Sequence, residues 1–533
     1  MVALVHGTEE GTGTDAVPAL PVTPVEIELK LRAPAGKLDE IRQSSVIRQF
    51  VRNKGVIRRL EATYYDTPDH QLFKAGLSLR VRREGRRYIQ TVKRVASSGS
   101  LHRDEWEVPV AGMALDLAAL PMAEIGGPLY GMVEAGLIPI FITRVRRHIL
   151  MLDQQDTQIE LALDEGDIVF GPHSLPLCEV ELELKQGKVA SLYQFGLALM
   201  DVVPLCLETQ TKSARGYALA QGNTPRAVKA ASSNLDRSDT VDEGIAKLLS
   251  SCHEQIIANL SATQDGREPE GIHQLRVALR RLRVALHFLC HHLKSPVLEG
   301  LDTEAKLFGQ ALGPARNWDV FIGSTLSGIE EATIPHIDMS ALRAACKFSH
   351  DQAYHNARNV LAAPRTNRFL LSFGLIIEQK SWRNDISSEE LKILTEPLGL
   401  FATRVLDRIE HQVRKRGRGF RHLHPDERHK VRLGLKKLRY ATEFFLPLYS
   451  RRASTTKYLK RLSQLQELLG EANDIKTTHE LLAALEHDTL SPQANRAMGA
   501  VIGWQGHLQT VALKRLNSRW LAYKRTLPFW SPR

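Results

Sequence analysis

The chain has 533 residues, 43% hydrophobic and 25% charged, a globular composition long enough for more than one core. Its net charge of +11 is uneven: 25 basic and 28 acidic side chains fall in residues 1–222, which leaves 71 − 25 = 46 basic and 60 − 28 = 32 acidic for residues 223–533. Five cysteines without a C-x-x-C pair exclude a disulfide framework and a cysteine zinc site, and the absence of any run of 18 apolar residues excludes a membrane span.

Residues 1–24, rich in Gly, Thr and Pro, read as a flexible tail with no secretory leader, so a cytoplasmic location is expected. From Val25 to Gly222, eight short segments alternate charged and apolar residues as strands do: 25–31, 57–65, 77–83, 87–94, 103–109, 142–151, 157–163 and 179–185. Apolar stretches at 37–52, 115–136 and 189–203 predict flanking helices. Residues 223–240 mix Pro, Ser, Asn and Asp without a period and mark a linker. Beyond it, residues 241–533 repeat apolar side chains at spacings of three and four, which predicts an all-α region. The fold class is therefore α+β multidomain: an eight-stranded antiparallel sheet or barrel with flanking helices, then helices alone.

The strand charges share parities. Glu26, Glu28 and Lys30 fall on one face of the first segment, Glu179, Glu181 and Glu183 on one face of the last. Arg80 with Arg82, Thr91 with Lys93, Arg103 with Glu105 and Glu107, Glu160 with Asp164, and Arg144 with Arg146 repeat the pattern. One such face is ordinarily a solvated surface. Recurrence in seven segments favours a barrel whose aliphatic faces pack outward on helices and whose charged faces line a lumen wide enough for one small ligand. Carboxylates crowded beside Arg and Lys call for a divalent cation together with a polyanion. All-oxygen ligands select Mg2+ or Mn2+, and Arg and Lys match phosphoryl oxygens. A P-loop is absent.

These residues resemble the CYTH domains, or triphosphate tunnel metalloenzymes. The match runs through Glu26-x-Glu28-x-Lys30, Tyr64-Tyr65-Asp66-Thr67-Pro68, Leu79-Arg80-x-Arg82, Thr91-x-Lys93, Arg103-x-Glu105-x-Glu107, Glu160-x-x-x-Asp164, the Glu179 strand and Lys212-Ser213-x-x-Arg215. The resemblance implies a closed tunnel over residues 25–222 in which Glu26, Glu28, Glu179 and Glu181, with Glu183 or Asp164, bind Mg2+ or Mn2+. It implies further that Lys30, Arg80, Arg82, Lys93, Arg103, Arg146, Lys212 and Arg215 hold a triphosphate, with Glu26, Glu28, Lys30 and Lys93 at the catalytic centre. The family's substrates differ among members, so the fold alone does not select one.

In the helical part, His273, Arg276, Arg280 and Arg283 fall within about 80° of helix circumference. The stripe returns 429 − 273 = 156 residues later as His429, Arg432, Lys436 and Arg439, and Leu312-Gly313 to Asp319 is echoed by Leu469-Gly470 to Asp474. Around Arg276, Arg280, Arg283, Arg432 and Lys436 no acidic partner stands at a spacing of three or four, so an external anion would relieve the repulsion. Aromatic residues make up only 6% of the chain, which argues against stacking on nucleic-acid bases and for a bare phosphate polymer. The repeat resembles the CHAD domain, which implies two pseudo-symmetric four-helix bundles with inorganic polyphosphate bound at the stripes. The expected protein is thus an inorganic triphosphatase that cleaves tripolyphosphate to pyrophosphate and phosphate and sits at polyphosphate granules. The alternatives are a non-catalytic polyphosphate-binding protein and a class IV adenylate cyclase.

Overall fold

The computed structural model describes residues 25–94, 101–125, 136–222, 224–331, 337–384, 386–449, 453–485 and 490–531, so the expected tail lies outside it. Eight strands arise where the alternation predicts them: β1 (Val25–Arg32), β2 (Val56–Asp66), β3 (Leu77–Glu84), β4 (Arg87–Arg94), β5 (His102–Val110), β6 (Ile138–Gln154), β7 (Thr157–Phe170) and β8 (His173–Gln186). The described sheet holds nine strands rather than the expected eight, because Cys206–Leu207 adds a two-residue β9 on the edge of β1. Two residues are too short to show a period. Pairing runs antiparallel in the order β5-β4-β3-β2-β6-β7-β8-β1-β9, and β5 also pairs with β1, which closes eight strands into a barrel.

Closure gives every strand an inner and an outer face. Leu29 and Leu31 of β1, Leu161 and Leu163 of β7, and Val180 and Leu182 of β8 are buried on the outside, under Leu192, Phe195 and Leu199 of the helix Ala190–Met200. Burying one such aliphatic side chain is worth about 1.5–3 kcal/mol, so this packing fixes which parity faces inward. The Tyr64-to-Pro68 motif is structural. The buried Asp66 carboxylate accepts from the backbone N–H of Thr67 and Leu72 at 2.8 Å and of Phe73 at 3.0 Å, and so closes the turn after β2.

Beyond the barrel the described residues are helical, apart from the stretch at 224–240, which is strapped down rather than loose. Val228 exchanges two 2.9 Å hydrogen bonds with Asn259, and buried Ser233 donates to the Phe444 carbonyl at 2.6 Å. Most of the buried apolar side chains between Leu235 and Trp530 form one continuous cluster. The helix Pro364–Gln379 docks on the barrel's own helix: Leu371 belongs to the barrel core, and any side chain at Gly374 would collide with Tyr193 at 2.3 Å. Among the described residues no single helix is long and apolar enough to cross a membrane.

Candidate active site

Inside the barrel the register, not the sequence, decides which charges meet. Glu28 stands opposite Glu183 and Lys30 opposite Glu181 across β1 and β8, Asp164 opposite Glu179 across β7 and β8, and Lys93 opposite Glu105 across β4 and β5. Directly opposed residues share a face, so Glu28, Lys30, Lys93, Glu105, Glu181 and Glu183 converge on one cavity of about 250 Å3, with the Asp164–Glu179 pair buried beside Glu181. Arg80, Arg82 and Glu107 complete its wall.

The helix Lys212–Gln221 closes one side. Thr211 caps it by accepting from Ala214 N–H at 3.0 Å, and its first turn aims Lys212 into the lumen. Lys212 Nζ lies 2.9 Å from Asp164, 2.8 Å from Glu179 and 2.6 Å from Glu181. Arg215, one turn on, pairs with Glu179. Lys30 reaches Glu28 at 2.9 Å and Glu181 at 3.1 Å, while Lys93 reaches Glu26 at 2.7 Å and Glu105 at 2.9 Å.

Carboxyl oxygens of Asp164, Glu179 and Glu181 lie within 4.8 Å of one another, all three residues buried. Burial alone would push the Asp164 and Glu181 carboxyls up. Lys212 with Arg147 at Asp164, and Lys212 with Lys30 and Arg147 at Glu181, outweigh burial and hold both acids below their usual values, Glu181 well below. Both are therefore ionised at neutral pH. Burial lowers the Lys212 and Lys93 ammonium groups, but the acids beside them prevail and raise both above the usual lysine value. The donor set suits a hard divalent ion, because it is oxygen only. Glu183 differs, since burial raises its carboxyl despite Lys185 at 2.5 Å.

One placement corrects the sequence analysis. Arg146 stands on the outer face of β6, opposite Arg59 and Glu165, with its side chain 58% exposed. Arg147 takes the lumen instead, donating to Asp164 at 2.7 and 2.6 Å and to Glu181. The doublet Arg146-Arg147 interrupts the alternation, so parity could not be read there, and only the 147–164 pairing assigns it. Arg103 is opposite Glu26 in the β1–β5 register, and its side chain lies outside the described residues.

In the helical region the two cationic stripes ride on Pro269–His292 and Pro425–Phe445, which pack together: the Arg281 guanidinium lies 4.9 Å over the Phe444 ring, and Phe288 and Phe445 are 5.5 Å apart. Arg280 thereby meets the second stripe. Burial, then Arg432 and Arg280, depress the Lys436 ammonium to about 7. Burial, Arg280 and Arg316 lower the Arg276 guanidinium to about 10. Burial also lowers Arg432, against the pull of Asp474, and lowers His273 and His429. Arg283 and Arg439 stand apart at the outer ends, paired with Asp302 at 3.1 Å and Glu443 at 3.2 Å. Arg316 and Asp474 were missed as members of this centre, although both lie in the second repeated motif.

Comparison with known proteins follows the same division. A CYTH domain family model matches residues 25–217 and a CHAD domain model residues 247–483. An inorganic triphosphatase of Haemophilus influenzae is 33% identical over 161 residues, 30% of this chain and 45% of that protein, so the match spans less than half of the relative. Among solved structures, the CHAD domain of the plant Ricinus communis is 29% identical with a TM-score of 0.47, covering 58% of this chain and 97% of that one. A Hippeastrum protein described as having a dominant triphosphatase activity is 18% identical with a TM-score of 0.27, covering 36% and 95%.

Proposed function

From a chain that joins a CYTH domain to a CHAD domain, we propose a metal-dependent inorganic triphosphatase with a polyphosphate-binding helical half built as two related four-helix bundles. The observation that carries this reading is the closed lumen in which the buried carboxyl cluster Asp164, Glu179 and Glu181 stands beside Lys30, Lys93, Arg80 and Lys212. In this reading Asp164, Glu179 and Glu181, with Glu26, Glu28 and Glu183 as further oxygen donors, hold Mg2+ or Mn2+. The bound ion supplies Lewis-acid polarisation of a phosphoryl group.

The chain's own residues do the rest. Lys30, Lys93, Arg80, Arg82, Arg103, Arg147, Lys212 and Arg215 bind the anionic oxygens and stabilise the charge that grows on them as the phosphoanhydride breaks. Each lumen cation whose side chain is described already faces a carboxylate, so the phosphates enter by exchange and these cations are never left bare in a dry site. Water attacks the terminal phosphorus of tripolyphosphate, the bridging P–O bond breaks, and pyrophosphate, phosphate and a proton leave. The Arg276, Arg280, Arg432 and Lys436 centre, with His273 and His429 beside it, supports polyphosphate binding, because its positive charge is under-compensated.

Phosphate release from tripolyphosphate, ATP and thiamine triphosphate, with Mg2+ or Mn2+ and with chelator, tests the assignment. Release from none of them would leave a binding protein, and cyclic AMP from ATP would make the barrel a cyclase.

A further inference from the structure

A buried carboxylate stands behind the stripes. Asp319 lies one turn beyond Arg316 on the helix Gly313–Val320, with its side chain 1% exposed. From the helix Ser340–Ala362, which packs across it, the Tyr354 hydroxyl donates to Asp319 at 3.0 Å and His350 Nε2 at 3.1 Å. Arg316 Nη1 stands 4.0 Å from the Asp319 carboxylate and makes no hydrogen bond among the described residues. The same guanidinium repels His273 and Arg276 and attracts Asp474, so it faces the stripes on one side and Asp319 on the other.

The half-buried His350 ring lies between two carboxylates, because its Nδ1 faces Asp351 Oδ1 at 3.3 Å. A neutral imidazole donates from one nitrogen and turns a lone pair toward the second acid, whereas the imidazolium donates from both. The site therefore suits the charged ring, and the two acids raise it above the ordinary 6.5 against the effect of burial. Asp351 does not depend on that charge, since it is 56% exposed and Lys347 holds it at 2.8 Å. Asp319 does depend on it: among the described residues its one other cationic neighbour is Arg316. Arg358, further along the helix of His350, donates to the carbonyls of Gln264 and Asp265. The helices Leu260–Asp265, Pro296–Ala311, Pro364–Gln379 and Pro492–Lys524 also pack on Ser340–Ala362, and among the described residues they supply no ion-pair partner to His350, Asp351 or Asp319.

We propose that His350 is a positioning residue that makes polyphosphate binding respond to pH: the protonated ring neutralises Asp319 and leaves Arg316 to a phosphoryl oxygen, and the neutral ring lets Asp319 draw Arg316 back from the stripes. The proposal rests on the reading of the helical half as a polyphosphate site. Its sign follows from linkage. A polyanion that takes Arg316 leaves Asp319 in need of the imidazolium, so binding and protonation favour each other, and affinity falls as pH rises through the titration of His350.

His350→Gln keeps an N–H donor for Asp319 and removes the charge. Binding of polyphosphate of one chain length to the full chain is measured by calorimetry at pH 6 and pH 9 and constant ionic strength, where Lys436, His273 and His429 contribute equally to both proteins. His350→Gln should bind at least fivefold more weakly than wild type at pH 6 and within twofold of it at pH 9. In an Arg316→Ala background the same substitution should change the pH 6 affinity less than twofold, a result that a merely structural role for His350 would not give. Equal ratios of pH 6 to pH 9 affinity in wild type and His350→Gln, or an undiminished effect of His350→Gln in the Arg316→Ala background, overturns the proposal while polyphosphate binding stands. A wild type that binds no polyphosphate at either pH overturns the polyphosphate reading and the proposal with it.

Discussion

Lys436 gives the sharpest test of the helical half. Its ammonium is depressed from the ordinary 10.5 to about 7 by burial, by Arg432 and by Arg280, with Asp474 opposing and Arg439 adding to the repulsion. That displacement corresponds to about 5 kcal/mol of disfavoured charge. A polyphosphate laid across the stripes removes the repulsion and favours the protonated form. Binding is therefore strongest below pH 7 and falls as the free protein loses this proton. If the bound ammonium returns to 10.5, linkage gives an affinity about fifty-fold weaker at pH 9 than at pH 7. The Lys436→Arg comparison isolates this group from histidine, because His273 and His429, both lowered chiefly by burial, are present in both proteins. The assay is a titration with polyphosphate of one chain length at pH 7, 8 and 9 and constant ionic strength, for wild type and Lys436→Arg. The arginine variant should lose most of the slope. An affinity that changes less than twofold in the wild type, or an equal slope in both proteins, would refute the reasoning.

Two further substitutions probe the barrel. Arg147→Ala should lower kcat/KM for tripolyphosphate at least hundredfold, and removing this half of a buried pair should cost about 3–5 kcal/mol in denaturant melts. Arg146→Ala, on the outer face, should stay within twofold of wild type, and a large loss there would reverse the parity assignment. Gly216→Ala places a methyl 2.1 Å from the Phe141 ring, so chemical denaturation should report a loss of about 1–3 kcal/mol, with activity falling as Lys212 shifts. Unchanged stability would mean that Phe141 can move aside.

What could be read from the sequence was what repeats with a period. The alternation in β1, β3, β4 and β8 places Glu26, Glu28, Lys30, Arg80, Lys93, Glu179 and Glu181 on inner faces, since the aliphatic faces of β1 and β8 pack on the helix Ala190–Met200 and those of β3 and β4 against Leu120 and Ile125. Where the period breaks, legibility ends. Arg146-Arg147 offers two adjacent cations and no parity, and only cross-strand pairing with Asp164 chooses between them. Long-range geometry was equally hidden. Nothing in residues 190–200 or 364–379 announces that Gly374 receives Tyr193, so a contact that joins the halves could not be foreseen. The stripes were visible as periods of three and four, but their meeting depends on Arg281 packing over Phe444, a tertiary contact with no local signal.

The two cationic sites bury their charges by opposite means, and the direction of the lysine shifts shows it. Lys93 and Lys212 are raised because the carboxylates facing them outweigh burial, whereas Lys436 falls to about 7 because burial and the cations beside it act in the same direction. A phosphate chain entering the lumen must first take the cations from Asp164, Glu179 and Glu181, which then need another positive partner, and a divalent ion is the one that fits an all-oxygen cluster. At the inner stripe positions Arg276, Arg280, Arg432 and Lys436 no carboxylate has to be released apart from Asp474, so a polyanion needs no metal there. One reagent should therefore separate the two. Excess chelator is expected to abolish phosphate release from tripolyphosphate, with recovery on adding Mg2+ or Mn2+, while polyphosphate affinity measured on the same sample changes less than twofold. Parallel loss of both would mean that the stripes also bind through a cation, and that the charge accounting for the helical half is wrong.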